Sequence, residues 1–404
     1  NNQVINAPIT LNNSTFVETT GAGNLTLGGV VSGSGGFNKI GTGGSFILGG
    51  TNTYTGNTLI NEGTVTLTNS SALGSTAGGS TVNAGATLAL QNNISVGAEA
   101  LTLNGGLVNN SGTNSYAGTI SGTGTVAVTT GGLTLGGTAA NSYTGNTAVN
   151  DGTLTLAKTA GLNAVAGNIT IGDGSGTGSS AIVQLTNANQ IADTVAVTLQ
   201  ADGRFDLNNQ NETVGSVASA SSAANIQLGT GTLTTGGSNA STTFAGTIAG
   251  TGALTKTGTG NLTLSGANTY SGTTTVNEGT VILTNSSALG TTAGGTTVNA
   301  GATLALQNNI SVGAEALTLN GVLVNNSGAN SYAGTISGTG TVAVTTGGLT
   351  LGGTAANTYT GTTTLNDGTL TLAKTAGLNA VSGNLAIGDG SGTGSSAIVQ
   401  LTNA

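Results

Sequence analysis

The chain has 404 residues with a formal net charge of −8, and only 4% of them are charged, against roughly a quarter in an ordinary soluble protein. It contains no His or Cys, which excludes Ser-His-Asp and Cys-His catalysis, disulfides and the usual zinc sites within this sequence. It has no run of basic residues that would bind nucleic acid or anionic lipid, and no stretch of about 20 apolar residues that would predict a transmembrane segment.

Short strands separated by tight turns are predicted along the whole chain. Alternation of aliphatic residues with Thr or Ala, the period of a half-buried strand, is clearest in chain order at 64–67, 87–90, 101–103, 125–128 and 153–156. Between these segments lie clusters of Gly, Asn and Ser, which supply the positive-φ positions of tight turns. We therefore expect an all-β protein with almost no helix.

Every tyrosine of the chain occurs in one frame, Asn-x-Tyr-x-Gly. The six copies are centred on Tyr54, Tyr116, Tyr143, Tyr270, Tyr332 and Tyr359. A second, longer repeat is superimposed on this one, because the segment 52–188 recurs as 268–404 with 16 differences in 137 positions. We call this the long repeat, and the chain is therefore a tandem array. The tyrosines are interpreted as structural corner residues, with a sugar-stacking array as the alternative.

A parallel β-helix accounts for this array better than a β-sandwich or a propeller. A sandwich cannot repeat for hundreds of residues, and propeller blades usually carry aromatic signatures that are missing here. Coils of about 20 to 25 residues stacked at the strand spacing fit the turn positions. We predict one continuous solenoid with N-terminal coils at 1–51, a first repeat unit at 52–267 that includes a divergent segment at 189–240, and a second, truncated unit at 268–404. The second copy of the long repeat ends at Ala404, whereas the chain continues beyond the equivalent Ala188 of the first copy. The sequence is therefore expected to be a piece of a longer protein.

The stretch 252–281 resembles the autotransporter-associated β-strand repeat. It contains Lys256-x-Gly258-x-Gly260, then Leu-Thr-Leu at 262–264, the motif around Tyr270, and a Gly-Thr strand from Gly279. The same order recurs at 39–63, and partial forms without the Lys occur at 131–152 and 347–368. The resemblance covers 21–188 and 241–404. It implies a right-handed parallel β-helix exported by Gram-negative type V secretion and displayed on the cell surface.

The sequence predicts no catalytic residue, no cofactor and no metal, apart from one acidic cluster in the divergent segment. Strand alternation is expected to place Asp202, Arg204 and Asp206 on one face, with Glu212 nearby. An exposed charge pair is the simplest interpretation of this cluster. Asp202 and Asp206 are the calcium candidates, and paired-carboxylate glycan cleavage is the third alternative. The glycine-rich segment 172–178 is interpreted as a loop or bulge, because a calcium-binding nonapeptide array needs an Asp in every repeat.

We expect an extracellular structural stalk or fibre on a Gram-negative-type cell that supports adhesion or contact between cells and matrix. The alternative is a filament or matrix protein that polymerises end to end through β edges. A glycan-active enzyme on a β-helix is the third possibility. The expected partners are other copies of the chain, and glycans or proteins at a host or cell surface.

Overall fold

The computed structural model describes residues 1–390 and 396–402, and these residues form 47 β-strands and no helix. The described part of the chain therefore has no helix that is long and apolar enough to cross a membrane. The chain divides into two compact units, Asn1–Asp206 and Leu207–Ala404. This division follows contacts in space, whereas the boundaries predicted from the sequence follow the repeat register and stay predictions.

The first unit consists of 24 short strands joined by turns. They are β1 (Gln3–Ile5), β2 (Ile9–Leu11), β3 (Thr15–Glu18), β4 (Leu25–Leu27), β5 (Val31–Gly33), β6 (Phe37–Ile40), β7 (Phe46–Leu48), β8 (Thr58–Ile60), β9 (Thr64–Leu67), β10 (Ser80–Val82), β11 (Thr87–Leu90), β12 (Ser95–Val96), β13 (Leu101–Leu103), β14 (Gly106–Asn109), β15 (Thr113–Tyr116), β16 (Ile120–Ser121), β17 (Thr125–Val128), β18 (Gly132–Gly137), β19 (Thr147–Val149), β20 (Gly152–Lys158), β21 (Ile169–Ile171), β22 (Ala181–Leu185), β23 (Ala196–Leu199) and β24 (Gly203–Asp206).

The strands of the first unit form stacked parallel sheets, as a solenoid requires. One face has the order β1-β4-β7-β9-β11-β14-β17-β19-β21-β23, a second has β3-β6-β8-β10-β13-β16, and a third has β12-β15-β18-β20-β22-β24; β2 pairs with β5. Neighbours in a sheet come from successive coils, as in the pairs Gln3↔Leu25 and Thr87↔Gly106. The coil between the partners Ile169 and Val197 is longer than these, because it includes the glycine-rich segment.

The second unit repeats this arrangement. Its strands are β25 (Glu212–Val214), β26 (Ser216–Ala218), β27 (Asn225–Gln227), β28 (Leu233–Thr235), β29 (Thr242–Phe244), β30 (Thr247–Ala249), β31 (Leu254–Lys256), β32 (Asn261–Leu264), β33 (Thr274–Val276), β34 (Thr280–Leu283), β35 (Thr296–Val298), β36 (Thr303–Leu306), β37 (Ser311–Val312), β38 (Leu317–Leu319), β39 (Val322–Asn325), β40 (Ala329–Tyr332), β41 (Ile336–Ser337), β42 (Thr341–Val344), β43 (Gly348–Gly353), β44 (Thr363–Leu365), β45 (Gly368–Lys374), β46 (Leu385–Ile387) and β47 (Ala397–Leu401). The main faces have the orders β25-β28-β31-β33-β35-β38-β41, β29-β32-β34-β36-β39-β42-β44-β46 and β37-β40-β43-β45-β47.

The core of each unit is a set of aliphatic columns that run from coil to coil. Period-two alternation turns every second side chain inward, and the parallel register places like residues on one another. In one column Leu88 lies between Val65 and Leu107, and all three are fully buried. The predicted all-β, parallel β-solenoid is therefore confirmed.

Candidate functional site: the corner motif and its buried polar groups

The Asn-x-Tyr-x-Gly motif mostly occupies the turns between strands. The Asn and Tyr of all six copies are buried, and every tyrosine ring has 0% exposure. The motif is therefore an interior feature of the coil corners, and no ring face is open to a ligand.

The motif asparagine joins three successive coils. Asn141 accepts a hydrogen bond from the backbone N–H of Ile120 at 2.9 Å and donates one to the carbonyl of Ala164 at 2.9 Å. Asn52 makes the same pair of bonds with Val31 and Ala72. A buried amide without such partners would cost free energy. Each Asn therefore stabilises the corners of the preceding and the following coil. Asn268 and Asn357 repeat this arrangement.

The remaining two motif asparagines differ on the donor side. Asn114 accepts from the Ile94 N–H at 2.8 Å, but its amide group donates to Asn109 Oδ1 and to the Ser111 carbonyl, both close in sequence. Asn109 in turn donates to the carbonyl of Thr130. Residues 325–330 repeat these bonds. The motif therefore has two structural forms that the sequence frame alone does not separate.

The tyrosine hydroxyls follow the same division. Four of them pair with the threonine four residues later, at 2.5 to 2.7 Å: Tyr54 with Thr58, Tyr143 with Thr147, Tyr270 with Thr274 and Tyr359 with Thr363. Tyr116 instead donates to the Glu99 carbonyl at 2.9 Å, and the hydroxyl of Tyr332 has no hydrogen-bond partner among the described residues. Burial raises the pKa of all six hydroxyls.

The motif glycine is required by the close approach of successive coils. A Cβ added to Gly145 would lie 2.0 Å from the Gly124 carbonyl oxygen, and one added to Gly56 would lie 2.4 Å from the carbonyl carbon of Gly35. Any other residue would push the coils apart at this corner.

The Lys-x-Gly element forms a second kind of corner. Lys39 is fully buried, and its ammonium group donates to the carbonyls of Ile40, Gly41 and Glu62 at 2.8, 2.6 and 3.2 Å. Gly41 has a φ of 78°, which suits glycine and turns its carbonyl toward the ammonium. Lys256 makes the equivalent three bonds in the second unit. Burial lowers the pKa of both lysines, against smaller opposing effects of Glu62 and Glu278.

Two further lysines are buried at positions that the sequence reasoning did not single out. Lys158 is fully buried and donates to the Gly118 carbonyl at 2.9 Å, 40 residues earlier in the chain; Lys374 bonds Gly334 in the same way. Burial lowers the pKa of Lys158 to about 8. The two lysines occupy equivalent positions of the long repeat, a signal that was available in the sequence.

Two buried carboxylates were also missed. Glu99 and Glu315 are each 3% exposed; Ser80 donates to Glu99 at 2.8 Å, and Thr296 donates to Glu315 at 3.0 Å. Burial raises the pKa of both groups, and these hydroxyl bonds oppose the shift. The two glutamates are also equivalent in the long repeat, which could have drawn attention to them.

The acidic cluster is not assembled as the sequence predicted. Arg204 and Asp206 do share a face of β24, where they form an ion pair at 2.6 Å. Asp202 precedes the strand and binds the glycine-rich loop, defined here as residues 172–180, by accepting from the Gly174 N–H at 2.8 Å and the Ser180 hydroxyl at 3.1 Å. Burial favours the neutral carboxyl, but these hydrogen bonds prevail and lower the pKa of Asp202.

The calcium candidates Asp202 and Asp206 therefore serve different partners. Glu212 lies in the second unit, is buried, and accepts from the Thr213 N–H at 3.1 Å. Among residues 1–390 and 396–402, no group of three or more acidic side chains could hold a metal ion. The alternative of a calcium site at Asp202 and Asp206 thus gains no support from the geometry. The second copy of the glycine-rich loop lies partly outside the described residues.

These features define a class of protein: a parallel β-solenoid whose corners are held by buried Asn, Tyr and Lys side chains. The passenger-associated-transport-repeat family model matches the chain at residues 37–67, 130–156, 254–283 and 346–372. These stretches are passenger-associated-transport repeats, and the resemblance to autotransporter passenger repeats is confirmed. No curated protein and no solved structure matches the chain significantly.

The matched stretches coincide with one of the two structural forms of the corner. They include Tyr54, Tyr143, Tyr270 and Tyr359, whose asparagines join three coils and whose hydroxyls bind a threonine. Tyr116 and Tyr332 lie outside the matched stretches and have the other form. The family model thus separates the two classes of corner that the hydrogen bonds distinguish.

Proposed function

We propose that this chain is part of the exported passenger of a Gram-negative surface protein, and that it acts as an extracellular structural stalk. The observation that carries the proposal is the coincidence of the transport repeats with corners joined across three coils. Such corners fix each coil to its neighbours without disulfides, which suits a chain that is unfolded during export. The proposal assigns no catalysis to this chain.

The composition also supports a surface role. Polar Thr, Ser and Asn cover the coils, and each of the four lysines is directed into the interior. Few charges are therefore presented outward, and contact with other molecules would rely on hydroxyl and amide groups. We infer that adhesion, to glycans or proteins or to further copies of the chain, is a property of these outward faces.

The test combines protease shaving of intact cells with electron cryotomography of the native cells that produce the complete protein. An antibody raised against this chain should label finite threads rooted in the outer membrane, and a deletion strain should lack both threads and label. Detection of the chain only inside cells would refute the proposal. Unbounded filaments with a regular axial spacing would instead favour end-to-end polymerisation.

A further inference from the structure

The second unit has an open cleft of about 250 Å³, and Glu315 is among the residues that line it. Among the residues that line it, Ser286 and Ser311 are exposed, and Leu289, Val312 and Glu315 are buried. The N–H of Ser311 donates to the hydroxyl of Ser286 at 2.9 Å, which joins the two segments that form the walls. The cleft is therefore built by defined contacts.

The Glu315 carboxylate has unused hydrogen-bonding capacity in this cleft. Among the described residues it accepts a hydrogen bond only from Thr296, although an ionised carboxylate has about four acceptor positions. It is 3% exposed, so little bulk water compensates for its burial. A buried carboxylate with a single hydrogen bond and no cationic partner among the described residues is costly, and a ligand that brings a charged donor would offset that cost.

The same cleft residues occur in the first unit. Every residue that lines the cleft has an identical counterpart at the equivalent position of the first long repeat, from Ser70 to Glu99. The hydrogen bonds are reproduced as well: Ser95 N–H donates to the Ser70 hydroxyl at 2.9 Å, and Glu99 accepts only from Ser80 among the described residues. Ser80 and its counterpart Thr296 differ in residue type and keep the hydroxyl donor.

We propose that each repeat carries a binding site for a primary ammonium group on a short aliphatic stem, as in a lysine side chain or a small free amine. The ammonium would donate to Glu315, and the apolar side chains of Leu289 and Val312 would contact the methylene stem. Ammonium has three donors and no acceptor, which matches a carboxylate with free acceptor positions. Glu315 is the one acidic residue among those that line the cleft, and no group of three or more acidic side chains in the described part of the chain could hold a metal ion.

Isothermal titration calorimetry on the full chain tests the proposal with three probes. These are n-butylammonium chloride, the peptide acetyl-Ala-Lys-Ala-amide, and the same peptide with neutral norleucine in place of lysine. We expect saturable binding of the amine, of the lysine peptide or of both, with two sites per chain, and at least tenfold weaker binding of the norleucine peptide. Tenfold tighter binding of the lysine peptide than of the free amine would identify a lysine side chain as the source of the ammonium group. Tenfold tighter binding of the free amine would instead identify a small amine as the ligand.

Variants locate the site. Glu315→Gln should reduce the stoichiometry from two to one, and Glu99→Gln with Glu315→Gln should abolish binding. The control pair Asp151→Asn and Asp367→Asn also removes two charges at equivalent positions of the long repeat, but outside the cleft, and should retain both sites. Equal loss in the control, equal binding of the norleucine peptide, or no saturable binding would overturn the proposal.

A blocking variant keeps the test valid if the Gln variants do not fold. A Cβ at Gly313 would lie 3.6 Å from Cγ2 of Thr292, which also lines the cleft, so the backbone accommodates a side chain there. Gly313→Val should remove one of the two sites by narrowing the cleft, with an unchanged circular dichroism spectrum. Retention of both sites in folded Gly313→Val would contradict the assignment.

Discussion

Replacement of Asn141 by leucine tests whether the motif asparagine holds the corners together. Leucine has a similar volume but no polar atoms, so the Ile120 N–H and the Ala164 carbonyl lose their partners inside the corner. Each unsatisfied buried group costs about 1–3 kcal/mol, and the two together cost about 2–6 kcal/mol. The loss should be local, because stability in a solenoid is a sum of coil and neighbour contributions.

Hydrogen–deuterium exchange of the full chain, followed by mass spectrometry, resolves such a local loss. At about 1.4 kcal/mol per tenfold, the lower limit of about 2 kcal/mol predicts at least about thirtyfold faster exchange in peptides spanning 118–123 and 162–167. The matched control is Asn146→Thr, because Asn146 is exposed and the second repeat has Thr362 at the same place. Exchange within about threefold of the wild type in Asn141→Leu would refute the structural role.

Three further predictions concern buried polar groups. The folded pKa of Lys158, about 8, lies below its unfolded value of 10.5, so the unfolded chain binds more protons in this interval and stability rises with pH. Between pH 8 and 10, the free energy of unfolding in guanidinium should rise by about 1–2.5 kcal/mol more in the wild type than in Lys158→Met. Parallel pH profiles of the two proteins would contradict this. Tyr143→Phe removes a buried hydrogen bond and should lower the free energy of unfolding by about 1–2 kcal/mol. Tyr332→Phe removes a hydroxyl without a partner among the described residues and should be neutral or stabilising. Equal shifts in the thermal unfolding temperature of the two variants would be inconsistent with this difference. Asp202→Ala frees the glycine-rich loop and should speed its cleavage by a non-specific protease. The control Asp173→Ala removes only a local bond within the loop and should not change the cleavage rate. Unchanged cleavage in Asp202→Ala would show that contacts other than those of Asp202 hold the loop.

Much of the chain's architecture was predictable because it follows from the local periodicity of apolar and polar residues. Segments such as 87–90 alternate with period two, and they recur at intervals of about one coil. The pairing of strands from successive coils into a parallel sheet therefore follows from the repeat itself. The Asn-x-Tyr-x-Gly frame and the Lys-x-Gly element likewise identified the repeat family. Each is a short sequence pattern that returns at regular intervals, which is why one sequence sufficed to find it.

The acidic cluster shows where strand alternation fails as a guide. Arg204 and Asp206 share a face as predicted, but Asp202 lies outside the strand and binds Gly174 and Ser180, which belong to the preceding coil. That outcome depends on the coil stacked against it, and the spacing within residues 202–206 contains no information about that neighbour.

The sequence by itself determined the strand periodicity, the coil repeat, the family of the four transport repeats and the absence of His and Cys chemistry, because all of these are properties of residue order and composition. Only the tertiary structure decided which polar residues are buried and what they bind: the two forms of the corner motif, the inward lysines, and Glu99 and Glu315. The physical reason is that most of these bonds join different coils. A polar side chain is placed by the partners that neighbouring coils bring within about 3 Å, and such partners lie far away along the chain.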